Sequence, residues 1–162
     1  MAVAEIIGAA IGVMLLVIVA YMLVGSVLTT AEVVSTAQKD LTLQNEAQLR
    51  TSLSVNKTEA SITGNGFNFS VMNTGNEIIS DFNHTDIYTW DGSESEYQHF
   101  TYSTSCGTDN HWCKRMIVPD TIHPNQLDPG EKMWVWATFT GGNPIWFQVT
   151  TSNGVNAQTT YP

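Results

Sequence analysis

Hydrophobic side chains are distributed along this chain in two contrasting ways. Residues 6–31 carry no charged side chain and are almost uniformly apolar. About 20 apolar residues allow a helix to cross the ~30 Å hydrocarbon core of a bilayer. From about residue 53 onward, hydrophobic and polar residues alternate with a period of two, which indicates β-strands. The pattern therefore predicts an apolar helix followed by a β-domain.

The helical pattern continues beyond the apolar segment. No Gly or Pro occurs between Ser26 and Ser61, and an imperfect apolar stripe persists through this stretch. We expect one helix from about residue 3 to about residue 52, which at ~1.5 Å per residue is roughly 75 Å long. The predicted organisation is a helix over 1–52, with an apolar segment at 2–31 and an amphipathic extension at 32–52, and an exported β-sandwich over 53–162.

The remainder of the chain consists of short hydrophobic runs separated by clusters of Gly, Asn, Asp and Pro. So many short strands in just over a hundred residues predict an antiparallel, immunoglobulin-like β-sandwich, and the fold class is expected to be α+β. The candidate strands are 53–57, 67–72, 77–90, 97–103, 114–118, 131–140, 145–151 and 154–160.

Large aromatic residues lie on the candidate strand 131–140. Trp134 and Trp136 are expected to point to one side of the strand, and Met133 and Val135 to the other. Trp146 repeats the pattern on the next strand. Because only one face can form the core, the Trp side is either covered by a loop or forms a subunit contact. The candidate interface residues are Trp134, Trp136 and Trp146.

The charge of the chain excludes one class of partner. The 162 residues have a net charge of −9 and contain only six Lys and Arg. Nucleic-acid binding requires clustered cations, so we expect no nucleic-acid partner. Aromatic residues make up 10% of the chain, which is more than disordered acidic segments contain.

Cysteines and sequons indicate export. Cys106 and Cys113 bracket a short polar loop, and in an oxidising compartment they would form a disulfide. A metal site with His111 is the alternative, although two Cys and one His leave the coordination sphere incomplete. Three N-glycosylation sequons begin at Asn56, Asn68 and Asn83.

No motif of a known catalytic or metal site occurs in the sequence. His84, His99, His111 and His123 are scattered among loops and strand edges. The acidic stretch 91–96 lacks the spacing of a calcium loop. We therefore expect no enzymatic activity, no catalytic residue, no cofactor and no bound metal.

Small residues recur on one face at the start of the helix. Ala4, Gly8 and Gly12 are spaced by four, and a G-x-x-x-G pattern of this kind lets another helix approach closely. The alternative is that small residues are common in all membrane helices. Glu5 is the charged residue of this region. It is expected in the first turn of the helix, where the helix dipole favours a negative charge.

Glu at the fifth position, followed by a long apolar segment, an amphipathic extension and a β-domain, resembles the type IV pilin superfamily. The archaeal branch, archaellins and archaeal pilins, is the most similar, because it joins this helix to an immunoglobulin-like domain. The resemblance implies a structural subunit of an extracellular archaeal filament whose helices leave the membrane and pack in a core. It also implies that Glu5 pairs with the terminal amine of Met1 in a neighbouring subunit.

The same resemblance implies the partners and the location of the protein. Identical subunits would form a helical homopolymer, after a prepilin peptidase and the assembly machinery had acted on a membrane-inserted precursor. Family precursors carry a short basic leader, whereas no Lys or Arg precedes Lys39 here. Met1 is therefore either the processed residue or the initiator.

Two alternative functions remain open. Residues 128–131 and 151–155 are similar to those of the archaellum stator-type accessory protein, which is anchored in the membrane and binds the surface layer. A substrate-binding or redox domain on a membrane tether is the second alternative.

Overall fold

The computed structural model describes residues 2–93 and 97–161, and these ranges contain one helix and eight strands. The α+β class is confirmed. The elements are α1 (Ala2–Arg50), β1 (Leu53–Thr63), β2 (Gly66–Asn73), β3 (Asp86–Trp90), β4 (Gln98–Tyr102), β5 (His111–Val118), β6 (Lys132–Thr138), β7 (Trp146–Thr150) and β8 (Asn156–Thr160).

The chain divides into two compact units, Met1–Gln44 and Asn45–Pro162. The described part of the first unit is helical, and it contains no Pro and only three Gly among mainly helix-compatible residues. Helix α1 is long enough and apolar enough to cross a membrane by length and composition, with a mean hydropathy of 2.7 in its most apolar window. The second unit contains the last turn of α1 and all the strands of the described residues.

The strands of the described residues form one eight-stranded sheet in the order β1-β2-β6-β5-β4-β3-β7-β8. Within the described ranges every strand pairing is antiparallel except that of β4 with β5. The terminal strands of this order, β1 and β8, lie close to each other, so the sheet is nearly closed.

Contacts between the aromatic residues of β2 and β7 show how the sheet folds back on itself. The Phe147 ring lies 4.8 Å from the rings of both Phe67 and Phe69. These residues are fully buried, although their strands are far apart in the sheet order. The half formed by β1, β2, β6 and β5 therefore faces the half formed by β3, β7 and β8 across one hydrophobic core. The outer surfaces of the two halves point in opposite directions.

The strand predicted at 77–90 is wrong over its first part, because β3 begins at Asp86. Residues 81–85 form a turn, in which the Thr85 hydroxyl donates to the Asp81 carbonyl at 2.9 Å. The turn buries Phe82 in the core, and Ile79 makes an isolated bridge to Leu127. Hydrophobic residues in this stretch are thus buried by a loop.

The predicted first strand is too short. Strand β1 extends to Thr63, because Ser61–Thr63 pair with Gly66–Asn68 in a hairpin. The turn of this hairpin contains Gly64, whose φ of 61° is in the left-handed region that Gly adopts without strain. The pairing of β1 with β2 is irregular between Asn56 and Ser61, because residues 57–60 of β1 lie opposite the single residue Phe69 of β2.

Candidate functional site

The apolar side chains of α1 form a continuous exposed surface. Ile6, Leu16 and Val24 are 68%, 70% and 59% exposed, and residues on every side of the helix are similar. Scattered exposed hydrophobic residues are normal in soluble proteins, but a helix that is hydrophobic all round is found in a membrane or a protein core. This apolar surface is therefore expected to be covered by lipid or by other helices.

The start of α1 offers one face to a neighbouring helix. Gly8 and Gly12 have open space where a Cβ would lie, and Ala4 is on the same face by its spacing of four. Glu5 lies in the first turn of the helix, one position from Ala4. The expected role of Met1 lies outside the described residues.

The last turn of α1 is fixed to the β-domain by a hydrogen-bonded junction, here called the helix–sheet joint (residues 50–52, 74–77 and 153). The carbonyl of Arg50 accepts from the Asn76 N–H at 2.7 Å. The carbonyl of Ser52 accepts from the backbone N–H of Thr74 at 2.9 Å and of Gly75 at 3.1 Å. Three backbone bonds thus connect the end of the helix to the loop after β2.

Side chains add to the helix–sheet joint. The buried Thr51 accepts a hydrogen bond of 2.7 Å from Asn153 Nδ2, and its own hydroxyl donates to the Ala47 carbonyl. The Arg50 guanidinium lies 3.7 Å from the Glu77 carboxylate. A Cβ at Gly75 would lie less than 3.0 Å from Arg50 O and Ser52 N, so the close approach requires glycine.

Trp134 and Trp136 lie on the outer surface of β6 and are half-buried, whereas Met133 and Val135 alternate with them in the core. The Arg115 guanidinium covers the Trp136 ring at 5.5 Å, a distance suited to a cation–π interaction. A bulge in β5 between Lys114 and Met116 makes this possible, because consecutive residues then face outward. The basic aromatic face is defined as Arg115, Met116, Lys132, Trp134 and Trp136.

Trp146 does not join the other two tryptophans, because β7 belongs to the other half of the sheet. It pairs with Trp90 of β3, and the ring of the exposed Tyr97 lies 5.6 Å from the ring of Trp146. Nearby, the Asp86 carboxylate bonds His99 Nε2 at 2.8 Å. The acidic aromatic face is defined as Asp86, Trp90, Asp91, Tyr97 and Trp146.

The sulfurs of Cys106 and Cys113 are joined in a disulfide, with a Cα–Cα distance of 5.2 Å. Cys113 is buried on β5, whereas Cys106 lies in the exposed loop before that strand. The imidazole of His111 points elsewhere, since its Nδ1 bonds the Asp109 carbonyl at 2.8 Å. The described residues contain no group of three His, Cys, Asp or Glu arranged to hold a metal.

The three sequons have different surroundings. Asn56 and Asn83 are exposed, whereas Asn68 is half-buried on β2. The Oδ1 atom of Asn68 is buried and has no hydrogen-bond partner within the described part of the chain. The Thr85 hydroxyl of the Asn83 sequon is buried and bonded to Asp81, and Thr58 of the Asn56 sequon is exposed.

Two histidine–carboxylate pairs stabilise separate loops and do not form a common site. His84 bonds Asp81 on the exposed turn before β3, and His123 bonds Asp128 between β5 and β6, each at 2.8 Å. The hydrogen bond from His123 lowers the pKa of the buried Asp128 carboxyl, an effect that its desolvation opposes. The four histidines predicted to be scattered lie on different loops and strands and do not form one site.

The sequence patterns did not single out Arg115, Tyr97, Gly75 or Asp86, whose contacts become visible only in the structure. The distribution of charged residues among the strands was a signal for Arg115 and Asp86. Every Lys and Arg after residue 52 falls on β1, β5 or β6, whereas β3 contains Asp86 and β4, β7 and β8 contain no charged residue. This asymmetry indicates that the outer surfaces differ in charge.

Comparisons with known proteins identify relatives of this architecture. The family model for archaeal-type flagellin matches residues 4–161. The archaellum periplasmic stator protein FlaG from Sulfolobus acidocaldarius is similar with a TM-score of 0.50 and 19% identity, over 68% of this chain and 99% of FlaG. The archaellum periplasmic stator protein complex of FlaF and FlaG from the same organism is similar with a TM-score of 0.50 and 20% identity, over 67% of this chain and 87% of that chain. At these identities the similarity to the solved structures shows the fold alone. No curated protein sequence matches the chain.

Proposed function

Because the chain belongs to the archaeal-type flagellin family, we propose that it is a structural subunit of an archaellum-type filament that polymerises through α1. The observation that carries this proposal is the exposed apolar surface of α1. The helix has 49 residues and is therefore about 74 Å long at ~1.5 Å per residue. A bilayer core of ~30 Å covers less than half of this length. Identical neighbouring helices would also cover exposed apolar residues beyond the apolar segment, such as Val33, Val34 and Leu41.

The start of α1 would be the first packing surface. Gly8 and Gly12 leave space for a neighbouring helix, and Ala4 extends that face, so dispersion contacts between backbones become possible. Glu5 would pair with the terminal amine of Met1 in the next subunit. Such a pair is needed once the region is buried, because an unpaired buried charge is strongly destabilising.

The location follows from the same proposal. The apolar segment of α1 would lie in the membrane before assembly, and the β-domain, with its disulfide and exposed sequons at Asn56 and Asn83, would lie outside the cell. Processing by a prepilin peptidase and insertion by the assembly machinery would precede polymerisation. Asn68 is the least accessible acceptor of the three, because its amide oxygen is buried.

A membrane-anchored stator that binds the surface layer is the second candidate. The observation that favours it is the fold similarity to FlaG, which covers 99% of that protein. The family match favours the filament subunit, because the matching model is that of a flagellin and includes α1.

The experiment compares two variants of the full chain in an archaellated host, Gly12→Leu and the matched control Gly25→Leu. Both glycines lie on α1 with open space around them, but Gly25 is on another face of the helix. We expect the wild type and the Gly25 variant in sheared surface fibres, and the Gly12 variant in the membrane fraction. If the wild-type chain is absent from the fibres and remains with the membrane, the stator function replaces the filament function.

A further inference from the structure

The two outer surfaces of the β-domain differ in charge. In the sequence of residues 53–162, the cations are Lys57, Lys114, Arg115 and Lys132, and all of them fall on β1, β5 and β6. On the basic aromatic face, Lys132 is paired with Glu59 at 2.7 Å, and the exposed Arg115 carries a positive charge that stacks on Trp136. The face therefore has a net positive charge within a strongly acidic protein.

The acidic aromatic face has the opposite character. The strands that form it contain no Lys or Arg, Asp86 begins β3, and Asp91 directly follows its last residue. Hydrogen bonds from Ser93 lower the pKa of the Asp91 carboxyl, which favours its charged form. The Tyr97 side chain protrudes beside Trp146 and is 64% exposed.

The two faces also differ in shape. A hollow of about 360 Å³ on the basic aromatic face is lined by Asn68, Arg115, Met116 and Trp134. Tyr97 is a protruding aromatic side chain on the other face, and buried aromatic anchors that fill pockets dominate the energy of most interfaces. Aromatic residues and Arg are enriched in interface cores.

We propose that the basic aromatic face of one copy of this chain binds the acidic aromatic face of a second copy. Arg115 would approach Asp86 or Asp91, and Tyr97 would enter the hollow beside Trp134. The two faces are different and lie on opposite sides of the β-domain, so the contact is heterologous. Contacts of this kind do not close in a pair and generate helical filaments when the rotation does not close. The inference rests on the proposed filament function and specifies how the β-domains contact each other.

The test uses zero-length carbodiimide cross-linking of filaments that contain the full-length Arg115→Lys variant. The reagent joins an amine to a carboxylate in direct contact, and it does not react with the native guanidinium. A bond between position 115 and Asp86 or Asp91 within one copy is excluded, because β5 and β3 belong to opposite halves of the sheet. The matched control is Ile122→Lys, which introduces an amine at a 68% exposed position outside both faces.

We expect a ladder of cross-linked copies on a denaturing gel, and mass spectrometry should find position 115 joined to Asp86 or Asp91. The Ile122 variant should lack that cross-link. Filaments in which position 115 is joined to another region, or to nothing, would overturn the face-to-face contact while leaving the filament function intact. Absence of the chain from all filaments would instead refute the proposed function, and the contact with it.

Discussion

Replacement of Gly75 by Ala tests the helix–sheet joint. The added Cβ would overlap Arg50 O and Ser52 N and would lie 3.0 Å from the Thr51 carbonyl carbon. All three are backbone atoms, so relief requires the loop after β2 to move away from the end of α1. Overpacking of this kind costs about 1–3 kcal/mol. Each backbone hydrogen bond that the movement weakens costs a further ~1 kcal/mol.

We therefore expect Gly75→Ala to lower the free energy of unfolding of the β-domain by about 2–4 kcal/mol, or the melting temperature by ~10 °C. Tryptophan fluorescence of the detergent-solubilised full chain measures this directly, because all five Trp follow residue 89 and none lies in α1.

The matched control is Asn76→Ala, which shortens an exposed side chain and keeps the backbone bond to Arg50. Exposed substitutions of this kind change stability by less than ~0.5 kcal/mol. If Gly75→Ala unfolds at the same temperature as this control, the backbone atoms of Arg50 and Ser52 do not lie as close to position 75 as the structure indicates.

Two further predictions concern the loops. The Asp128 carboxyl has a pKa below its ordinary value, so its contribution to stability is present above pH ~4 and is lost as the pH falls through the folded-state value. In urea titrations Asp128→Asn should thus be less stable than wild type at pH 7, and the difference should shrink as the pH falls below ~4. The exposed control Asp109→Asn should be as stable as wild type at pH 7. A difference for Asp128→Asn that does not change with pH would contradict this. Replacing Cys106 and Cys113 by Ser opens a loop with a sequence separation of 7, which should cost about 2.5 kcal/mol relative to the oxidised wild type. Under reducing conditions this difference should fall to the smaller cost of burying a hydroxyl at position 113.

Much of the fold could be predicted from the sequence because the relevant signals are local. The apolar segment and the absence of Gly and Pro between Ser26 and Ser61 led to a helix ending at about residue 52, and it ends at Arg50. Alternation on β6 correctly separated Trp134 and Trp136 from the core residues Met133 and Val135. Both patterns depend on the geometry of one element.

The features that depend on distant partners could not be predicted. Trp146 was grouped with the tryptophans of β6, but the sheet order separates their strands. Residues 77–85 have the composition of a strand and form a loop, because Phe82 is buried by a turn that Thr85 and Asp81 stabilise. The need for glycine at position 75 arises from the approach of a helix end that precedes it by 25 residues of sequence.

The helix–sheet joint has a mechanical consequence. A force applied to the last turn of α1 would reach the β-domain through the covalent chain at Ser52 and, in parallel, through the backbone bonds from Thr74, Gly75 and Asn76. These bonds end in the loop after β2, and β2 lies between β1 and β6 in the sheet. The force is therefore transmitted to the middle of one half of the sheet as well as to the edge strand β1. The β-domain would therefore turn with the end of its helix as a stiff unit.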